Sequence, residues 1–463
     1  MFGNIFHTFA NCFKIPELKS RILFTLALLA VARVLAYVPI PGVDAGTLSA
    51  WSDQNSHGAA GVLGLYNRFA GGAYLNCAVG ALGIMPYVSA SIILQMLGAV
   101  FPRLSKLARE EGGRAKLIQY GRYLTIPLCI GQGCYFANSY LNPGNLFQGY
   151  NGPPLVVMQN HVLYFFLAVT VMTTATLLLM WLGEQITERG IGNGVSLIIT
   201  IGIVAGLPYA VYDLKNMFWP STGEAQYHPF GTGLLLLGLL VGVIAGIIAI
   251  TQAQRKVPVQ YASRMVGRKM YQGGTNYLPL QLNAANVMPI IFASSILMFP
   301  GPVCNWLATH AHPTFLQPPF QWLAVRLNYG SAFYLGIYTV LILFFSYFWV
   351  AIQFNEIQIA DDLKKNGGYI PGVRPGQSTS DYLHKSMSRL TLAGAIFLTL
   401  IAVIPILLYK QIGISQNVAQ FFGGTSILIA VGVLLNTMRQ VESHLMMRHY
   451  DGFLKKGKVR GRF

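Results

Sequence analysis

Apolar residues in this chain fall into long charge-free segments that are separated by polar stretches. Ten segments are near 20 residues long, and a helix of that length crosses a hydrocarbon core of about 30 Å. They lie at 22–38, 80–101, 117–137, 161–182, 193–211, 232–252, 285–303, 332–352, 390–409 and 421–438. The pattern predicts an all-α integral membrane protein with ten transmembrane helices. Between residues 39 and 83 the chain is glycine-rich and partly apolar, which predicts a re-entrant or half-inserted segment.

Two of these segments carry nearly the same sequence. Residues 84–94 align without gaps to residues 287–297, and six of the eleven positions are identical. Pro86 and Pro289 each remove a backbone donor and weaken the helix locally. With five spans in each half, the second copy enters the membrane in the opposite direction, so the repeat predicts inverted halves with the transport site at the two interrupted helices. A chance likeness between two helices rich in Ile, Ala and Ser is the alternative.

The repeat divides the chain into two pseudo-symmetric halves of five helices. We expect an N-terminal half at 1–212, an external hinge loop at 213–231, a C-terminal half at 232–438 and a basic cytoplasmic tail at 439–463. Two cytoplasmic loops, at 251–283 and 353–389, are long and hold several prolines and glycines, residues that fix turns. We expect these loops to fold into a docking surface. A role limited to topology and to attraction for anionic lipids is the alternative.

Positive charge marks one side of the predicted bundle. If both termini are cytoplasmic and ten spans alternate, 26 of the 32 lysines and arginines face the cytoplasm and four face the other side. This distribution satisfies the positive-inside rule. The net charge of +17 therefore indicates topology and does not indicate nucleic acid binding. The first apolar segment ends in YVPIP without a small-residue cleavage site, so we expect no cleavable signal peptide.

The predicted spans lack the groups that catalysis or ion coupling needs. None of the nine histidines lies inside a span, although His161 begins one, and Arg33 is the charged residue clearly within one. The sequence contains no GxSxG, HExxH or phosphate-binding glycine motif, and its five cysteines lack the spacing of a zinc site. We therefore expect no catalytic residue, metal or cofactor, but a passive conduit driven by a partner. A secondary transporter of a small solute is the main alternative, and an intramembrane enzyme is a weaker one.

Residues 181–194, which read WLGEQITERGIGNG, resemble a signature of the SecY family, the channel subunits of the bacterial protein translocase. Further motifs follow the family order: YVPIPGVD at 37–44, FAGGA at 69–73, ALGIMPYVSAS at 81–91, IFASS at 291–295, YIPGVRPGQ at 369–377 and FGGTS at 422–426. The resemblance implies a bacterial plasma (inner) membrane protein that translocates unfolded secretory polypeptides and releases transmembrane segments laterally into lipid. The partners it implies are the SecE and SecG subunits, the SecA ATPase motor, the ribosome, unfolded preproteins with their signal peptides, and anionic lipids.

The resemblance also implies a pore closed by an apolar ring and a plug. The ring positions are Ile84, Val88, Val195, Ile199, Ile291 and Ile429. Branched aliphatic side chains at a constriction resist wetting, whereas packing within helix interfaces is the alternative role. A short plug helix is expected at about 71–79, with Gly71, Gly72 and Ala73 at its movable start and Asn76 as a polar tip. Gly80 stands where the family has a larger apolar residue.

By the same resemblance, basic residues at the tips of the two cytoplasmic loops dock the motor or the ribosome. They are Arg255, Lys256 and Arg374, and arginine suits the role because its planar fork pairs with carboxylate or phosphate. Tyr277 and Gln281 replace a usual His and Lys, and no role is assigned to them.

The two repeated helices are expected to form a lateral gate. Their small hydroxyl residues allow close approach and modest interhelical hydrogen bonds. These residues are Ser89, Ser91, Ser294 and Ser295.

Overall fold

The structure is a computed structural model in which the chain forms two compact units. One unit comprises Met1–Tyr212 with Val433–Phe463, and the other comprises Asp213–Gly432. The residues that the structure describes are 15–44, 46–48, 66–67, 69–110, 112–143, 152–218, 230–261, 264–266, 269–271, 274–298, 300–310, 317–327, 330–408, 410, 414, 418–419, 421 and 424–456.

The first unit is built from helices. They are α1 (Pro16–Val34), α2 (Met85–Val100), α3 (Pro102–Arg109), α4 (Gly113–Leu141), α5 (His161–Arg189), α6 (Gly194–Ala205) and α7 (Leu207–Phe218), whose last turns belong to the second unit. Helix α4 packs against both α2 and α5, and α5 also contacts α1 and α6. This packing places α5 at the centre of the unit.

The second unit combines helices with short strands. In chain order these are α8 (Phe230–Gln252), β1 (Gln254–Tyr261), β2 (Arg264–Val266), β3 (Lys269–Tyr271), β4 (Thr275–Gln281), α9 (Met288–Met298), α10 (Pro300–His310), α11 (Gln317–Arg326), α12 (Ala332–Gln353), α13 (Glu356–Lys365), β5 (Gly368–Tyr369), α14 (Gln377–Leu407) and α15 (Thr425–Lys456). Helix α12 packs between α9 and α14. The last helix, α15, begins in this unit and ends in the first.

Each of the ten apolar segments overlaps a helix, and the all-α membrane fold is confirmed. Among the described residues, five helical segments are long and apolar enough to cross a membrane: His161–Arg189, Gly194–Lys215, Gly231–Gln252, Ala332–Lys365 and Gln377–Leu407. The two helices of the repeat are shorter, with 16 residues in α2 and 11 in α9. The total of ten spans stays a prediction.

The two repeated prolines begin helices and do not interrupt them. Pro86 lies in the first turn of α2, and Pro289 is the second residue of α9. A proline fits there because the first turn of a helix has no internal partner for its N–H groups. The expectation that these prolines interrupt the two helices is therefore wrong, and the apolar residues before each proline form turns.

Two predicted connections differ from expectation. Residues 213–218 of the predicted hinge loop are the end of helix α7, and residues 219–229 lie outside the described part of the chain. The predicted basic tail at 439–463 continues α15 as far as Lys456, and its last seven residues lie outside the described part. A helical tail agrees with the lack of proline and the single glycine between 439 and 456.

The two long loops of the second unit meet in one small sheet. Strand β1 pairs antiparallel with β4 on one side and with β5, from the second loop, on the other. Val257 and Val259 on β1 are buried together with Leu280 on β4, while the alternate residues of β1 are exposed. The sequence analysis predicted folded loops but did not predict strands, because only two alternating valines mark β1.

Glycines set the closest helix contact in the first unit. A Cβ added at Gly194, the first residue of α6, would collide with the carbonyl oxygen of Gly183 on α5. In contrast, a Cβ added at Gly131 on α4 would meet nothing within 4 Å. Gly194 and Gly131 therefore provide a matched pair of helical glycines for substitution, one tightly packed and the other in open space.

We predict that Gly194→Ala lowers stability while Gly131→Ala does not. The first change overpacks a helix junction and should cost about 1–3 kcal/mol, whereas the second adds a better helix former in open space and should be neutral or slightly stabilising. Thermal unfolding of the purified proteins in mild detergent measures both effects. Equal melting temperatures for the two variants would show that α5 and α6 are not in such close contact.

Candidate plug and pore site

The predicted plug is a buried run of turns. Residues 70–84 contain no α-helix, and all of them are described. Gly71, Gly72 and Cys77 have positive φ angles of 67°, 87° and 46°, a region that an α-helix does not visit. The expected short helix at 71–79 is therefore wrong, because three left-handed residues interrupt it. Ala73 and Tyr74 within the segment are fully buried.

An aromatic cluster anchors this segment to helix α4. The ring of Tyr74 lies 4.8 Å from that of Phe136 and 5.7 Å from that of Tyr140, measured between ring centroids. The Tyr140 hydroxyl donates to the Tyr74 carbonyl oxygen at 2.9 Å, and the Tyr66 hydroxyl donates to the Leu82 carbonyl oxygen at 2.7 Å. Both carbonyls are thus satisfied by buried tyrosines, which large apolar rings alone would not achieve.

The end of the segment pairs with the chain that follows α1. The backbone N–H of Val79 donates to the Val38 carbonyl at 2.8 Å, and that of Gly80 donates to the Leu35 carbonyl at 2.9 Å. A Cβ at Gly80 would lie 2.8 Å from the Leu35 carbonyl oxygen, so a larger residue does not fit there. Asn76 is half-buried, with its amide nitrogen 3.5 Å from the Ala36 carbonyl oxygen. Its role as the polar tip of a plug stays a prediction.

The YVPIPGVD motif links the predicted plug segment to residues 155–157. On one side, the Ile40 N–H donates to the Cys77 carbonyl at 2.8 Å. On the other side, the Asp44 N–H donates to Leu155 at 2.9 Å, and the Val157 N–H donates to Gly42 at 3.0 Å. Sequence reasoning used this motif only as a family marker. Its two prolines favour the extended backbone that such pairing requires, and this was the available signal.

Four of the six ring positions lie in the first unit. Ile84, Val88 and Ile199 are buried, and Val195 is half-buried. Val195 packs on α5, because a Cβ at Gly183 would lie 3.4 Å from its Cγ2 atom. This contact favours a packing role at Val195.

A small cavity in the first unit includes one of the ring positions. Its lining includes Ile84 together with Ile198, Ile201, Arg33 and Gly202. Ile198 and Ile201 line the cavity but are not among the predicted site residues. Residues 198–203 contain four isoleucines, and the sequence pattern alone gives no reason to select these two.

The other two ring positions, Ile291 and Ile429, are buried in the second unit. A Cβ at Gly432 on α15 would lie 3.5 Å from the Val287 side chain. Ile291 and Ile429 each lie about one helical turn from that contact along the chain. A single ring formed by all six residues stays a prediction.

The four serines predicted to line a lateral gate differ in their hydrogen bonds. Ser294 donates to the Ile291 carbonyl of its own helix at 3.0 Å, so it does not supply the interhelical hydrogen bond that was expected. The Ser295 hydroxyl oxygen is buried and has no hydrogen-bond partner among the described residues. Ser89 and Ser91 are half-buried on α2. An unpaired buried hydroxyl is costly, which makes Ser295 the serine best suited to bond another helix.

The three predicted docking residues lie in two places, at the start of β1 and in the loop before α14. Arg255 and Lys256 are exposed at the start of β1, where they pair with Leu280 and Pro279. The prediction that Arg255 is at a loop tip is wrong, because the far end of the hairpin is formed by β2 and β3. Arg374 is exposed in the loop before α14, and its place at a loop tip stays a prediction.

The two positions without an assigned role, Tyr277 and Gln281, are exposed on β4. Within the described ranges, no group of three His, Cys, Asp or Glu residues is placed to hold a metal ion.

The WLGEQITERGIGNG segment forms a joint between helices. Asn193 caps α6 by accepting from the Ser196 N–H at 3.1 Å. The Ile191 N–H donates to the Thr25 hydroxyl of α1 at 3.1 Å, and the Gly192 N–H donates to the Gln440 side chain of α15 at 2.8 Å. The motif thereby connects four helices at one point, which explains its polar and glycine-rich composition in structural terms.

Comparison with known proteins places the chain in a family. A family model described as SecY matches residues 78–438. The chain belongs to the SecY family. It is 40% identical to the protein translocase subunit SecY of Chlamydia muridarum, with 98% of this chain and 99% of that protein covered. It is 43% identical to the protein of the same name from Streptomyces coelicolor, with 96% and 99% covered.

Solved structures share the fold of this SecY-family chain. One, described as a protein conducting channel, has a TM-score of 0.55 at 16% identity and covers 92% of each chain. Another concerns the plug domain of a SecY protein, described as stabilising the closed state of the translocation channel and maintaining a membrane seal; it has a TM-score of 0.55 at 17% identity and covers 92% of each chain. Sec61 in a canine ribosome-channel complex has a TM-score of 0.50 at 16% identity, with 94% of this chain and 96% of that chain covered.

We predict that polar substitution of the ring residues raises ion leak through the resting protein. Serine at Ile84, Val88, Ile199, Ile291 or Ile429 should raise planar-bilayer conductance severalfold, because an apolar constriction that loses contact wets more easily. Val195→Ser should raise it least, because Val195 packs on Gly183. Ile247→Ser, at a fully buried position on α8, is the control for general loss of packing. Conductance equal to that of the control in all variants would mean that these residues serve packing alone.

Proposed function

We propose that this chain is the channel subunit through which unfolded secretory polypeptides cross a bacterial plasma (inner) membrane. The observation that supports it most is the buried non-helical segment 70–84, which lies among apolar helices of a multi-pass membrane protein. Irregular backbone in such a protein is tolerated where it is buried in protein or lines a pathway. Its position in the chain is that of the predicted plug. One related structure is described as a protein conducting channel, and another concerns the plug domain of a SecY protein.

In this proposal the channel is passive and a partner supplies the energy. The proposed contacts for a motor or a ribosome are exposed Arg255 and Lys256 on the small sheet and exposed Arg374 in the loop before α14. Guanidinium groups pair bidentately with carboxylates of a protein or phosphates of RNA, so both kinds of partner fit the same chemistry. The SecA ATPase, the ribosome, the SecE and SecG subunits, signal peptides and anionic lipids are the proposed partners, with both chain termini in the cytoplasm.

The channel is also proposed to open sideways to release apolar segments into lipid. Helices α2 and α9 carry the repeated sequence, and each has a proline as its second residue. Helices joined by small and hydroxyl residues associate through contacts of about 0.6–2 kcal/mol each. Contacts of this size hold a closed gate and still allow an entering signal helix to replace them.

We predict that the purified channel in vesicles imports an unfolded secretory protein only when a motor and ATP are supplied. Arg255→Glu and Arg374→Glu should weaken motor binding, most strongly at low salt, because exposed charges are screened as salt rises. Lys215→Glu, at an exposed position on helix α7 and outside the two long loops, is the control for the charge change. Accumulation of a small solute under an ion gradient, without import of protein, would instead support a secondary transporter.

We predict that a disulfide between α2 and α9 blocks import reversibly. The five native cysteines are removed, and one cysteine is placed on each helix at matched depth, starting with Ser89 or Ser91 opposite Ser295. Oxidation should link the helices and stop import, and reduction should restore it. A cysteine pair on α4 and α5, which pack together within the first unit, should crosslink without stopping import. Import by the fully crosslinked α2–α9 protein would refute the lateral gate.

A further inference from the structure

An arginine of helix α1 contacts the first turn of the plug segment. Arg33 donates from Nη1 to the carbonyl oxygen of Gly71 at 2.8 Å. Its Nη2 atom lies 3.2 Å from the Tyr37 hydroxyl, and its guanidinium carbon lies 5.2 Å from the centre of the Tyr37 ring. The residue is half-buried and also lines the small cavity beside Ile84. Arg33 thus contacts Tyr37, in the turn that follows α1, on one side and the proposed plug segment on the other.

The backbone of Gly71 fits closely against this arginine. A Cβ at Gly71 would collide with Arg33 Nη1 and would lie 3.0 Å from the Cα of Gly202 on α6. The φ angle of 67° at Gly71 also favours glycine. The next residue, Gly72, has a φ of 87°, but a Cβ there would meet only the Asn76 amide nitrogen, at 3.9 Å. Contact with the arginine therefore distinguishes Gly71 from its neighbour.

The charge of Arg33 makes this contact stronger than an ordinary hydrogen bond. Among the described residues it forms no ion pair with a carboxylate. The Gly71 carbonyl dipole and the Tyr37 ring stabilise its positive charge. Hydrogen bonds from charged donors are stronger than neutral ones, and a cation within a membrane span is costly when it loses its partners. Departure of Gly71 would remove the main acceptor of this guanidinium.

We propose that Arg33 is a positioning residue that latches the plug segment closed through the Gly71 carbonyl. The proposal rests on the proposed function of segment 70–84 as a plug. Opening then requires the guanidinium to exchange the Gly71 carbonyl for another oxygen acceptor, from water or from the backbone of the entering polypeptide. The hydrogen bond between Arg33 and the Gly71 carbonyl thereby sets how often the resting channel opens.

Cys77 offers a reporter inside the plug itself. It is fully buried, so a membrane-impermeant maleimide added from the external side reaches it only when the segment moves. The other four cysteines are removed, and the assembled channel is studied in sealed vesicles. Arg33→Gln should raise the rate of Cys77 modification by about tenfold to a hundredfold, the effect of losing one hydrogen bond from a charged donor. Ion leak should rise with it.

Matched variants distinguish loss of the Arg33–Gly71 contact from a general loss of packing. Gly71→Ala should act like Arg33→Gln, Gly72→Ala should have a smaller effect, and Arg33→Lys should lie closer to the parent because it keeps the charge. Arg326→Gln, at an exposed residue of α11, should leave Cys77 modification unchanged. The double variant Arg33→Gln/Gly71→Ala should be no faster than the faster single variant, since both remove one contact.

Several results would overturn the latch. Parental rates of Cys77 modification and parental leak in Arg33→Gln would do so, and so would equal rates for Gly71→Ala and Gly72→Ala. If Arg33→Gln fails to fold, the Cys77 modification rates of Gly71→Ala and Gly72→Ala test the latch instead. Import of a secretory protein by the parent, with Cys77 unaffected in the variants, refutes the latch and leaves the proposed function intact. Absence of import by the parent refutes the proposed function, while the modification rates still test the latch.

Discussion

The need to pair every backbone polar group of segment 70–84 determines the design of the first unit. This segment has no helix to satisfy its N–H and C=O groups, yet it is largely buried among apolar helices. Such backbone is stable only where other parts of the protein supply the missing partners. The chain after α1 pairs with residues 77–80, tyrosine hydroxyls reach two of its carbonyls, and Arg33 reaches a third. The folding of this segment therefore depends on α1 and α4.

Glycine in this region serves close packing more than freedom of movement. Gly71 and Gly80 are pressed against Arg33 and the Leu35 carbonyl, and Gly194 is pressed against Gly183. At these positions a side chain would separate elements whose hydrogen bonds depend on contact. The sequence analysis interpreted Gly71 and Gly72 as a movable start of the plug. The structure instead packs Gly71 against Arg33 and Gly202, which indicates close packing at this position and not freedom of movement.

The sequence predicted the helices far better than it predicted the plug. Long apolar segments determine helices by length and hydropathy alone, and for that reason every one of them overlaps a helix. The plug differs because its conformation depends on partners far along the chain, such as Tyr140, 66 positions from Tyr74. No local period reveals such partners. The strand pairing of the two cytoplasmic loops was missed for the same reason, since β5 lies more than a hundred residues from β1.

The predicted site residues also differ in whether their role depends on local sequence or on distant partners. Ile84, Val88 and Ile199 were chosen by resemblance, and their burial agrees with either a ring or ordinary packing. Arg33, in contrast, was noticed as a charge within a span, but sequence alone gave it no partner. The structure supplies that partner as a backbone carbonyl, which carries no side-chain signature. A contact between a side chain and a distant backbone carbonyl is therefore what a sequence pattern reveals least. In this protein, such a contact joins Arg33 to segment 70–84, the proposed plug.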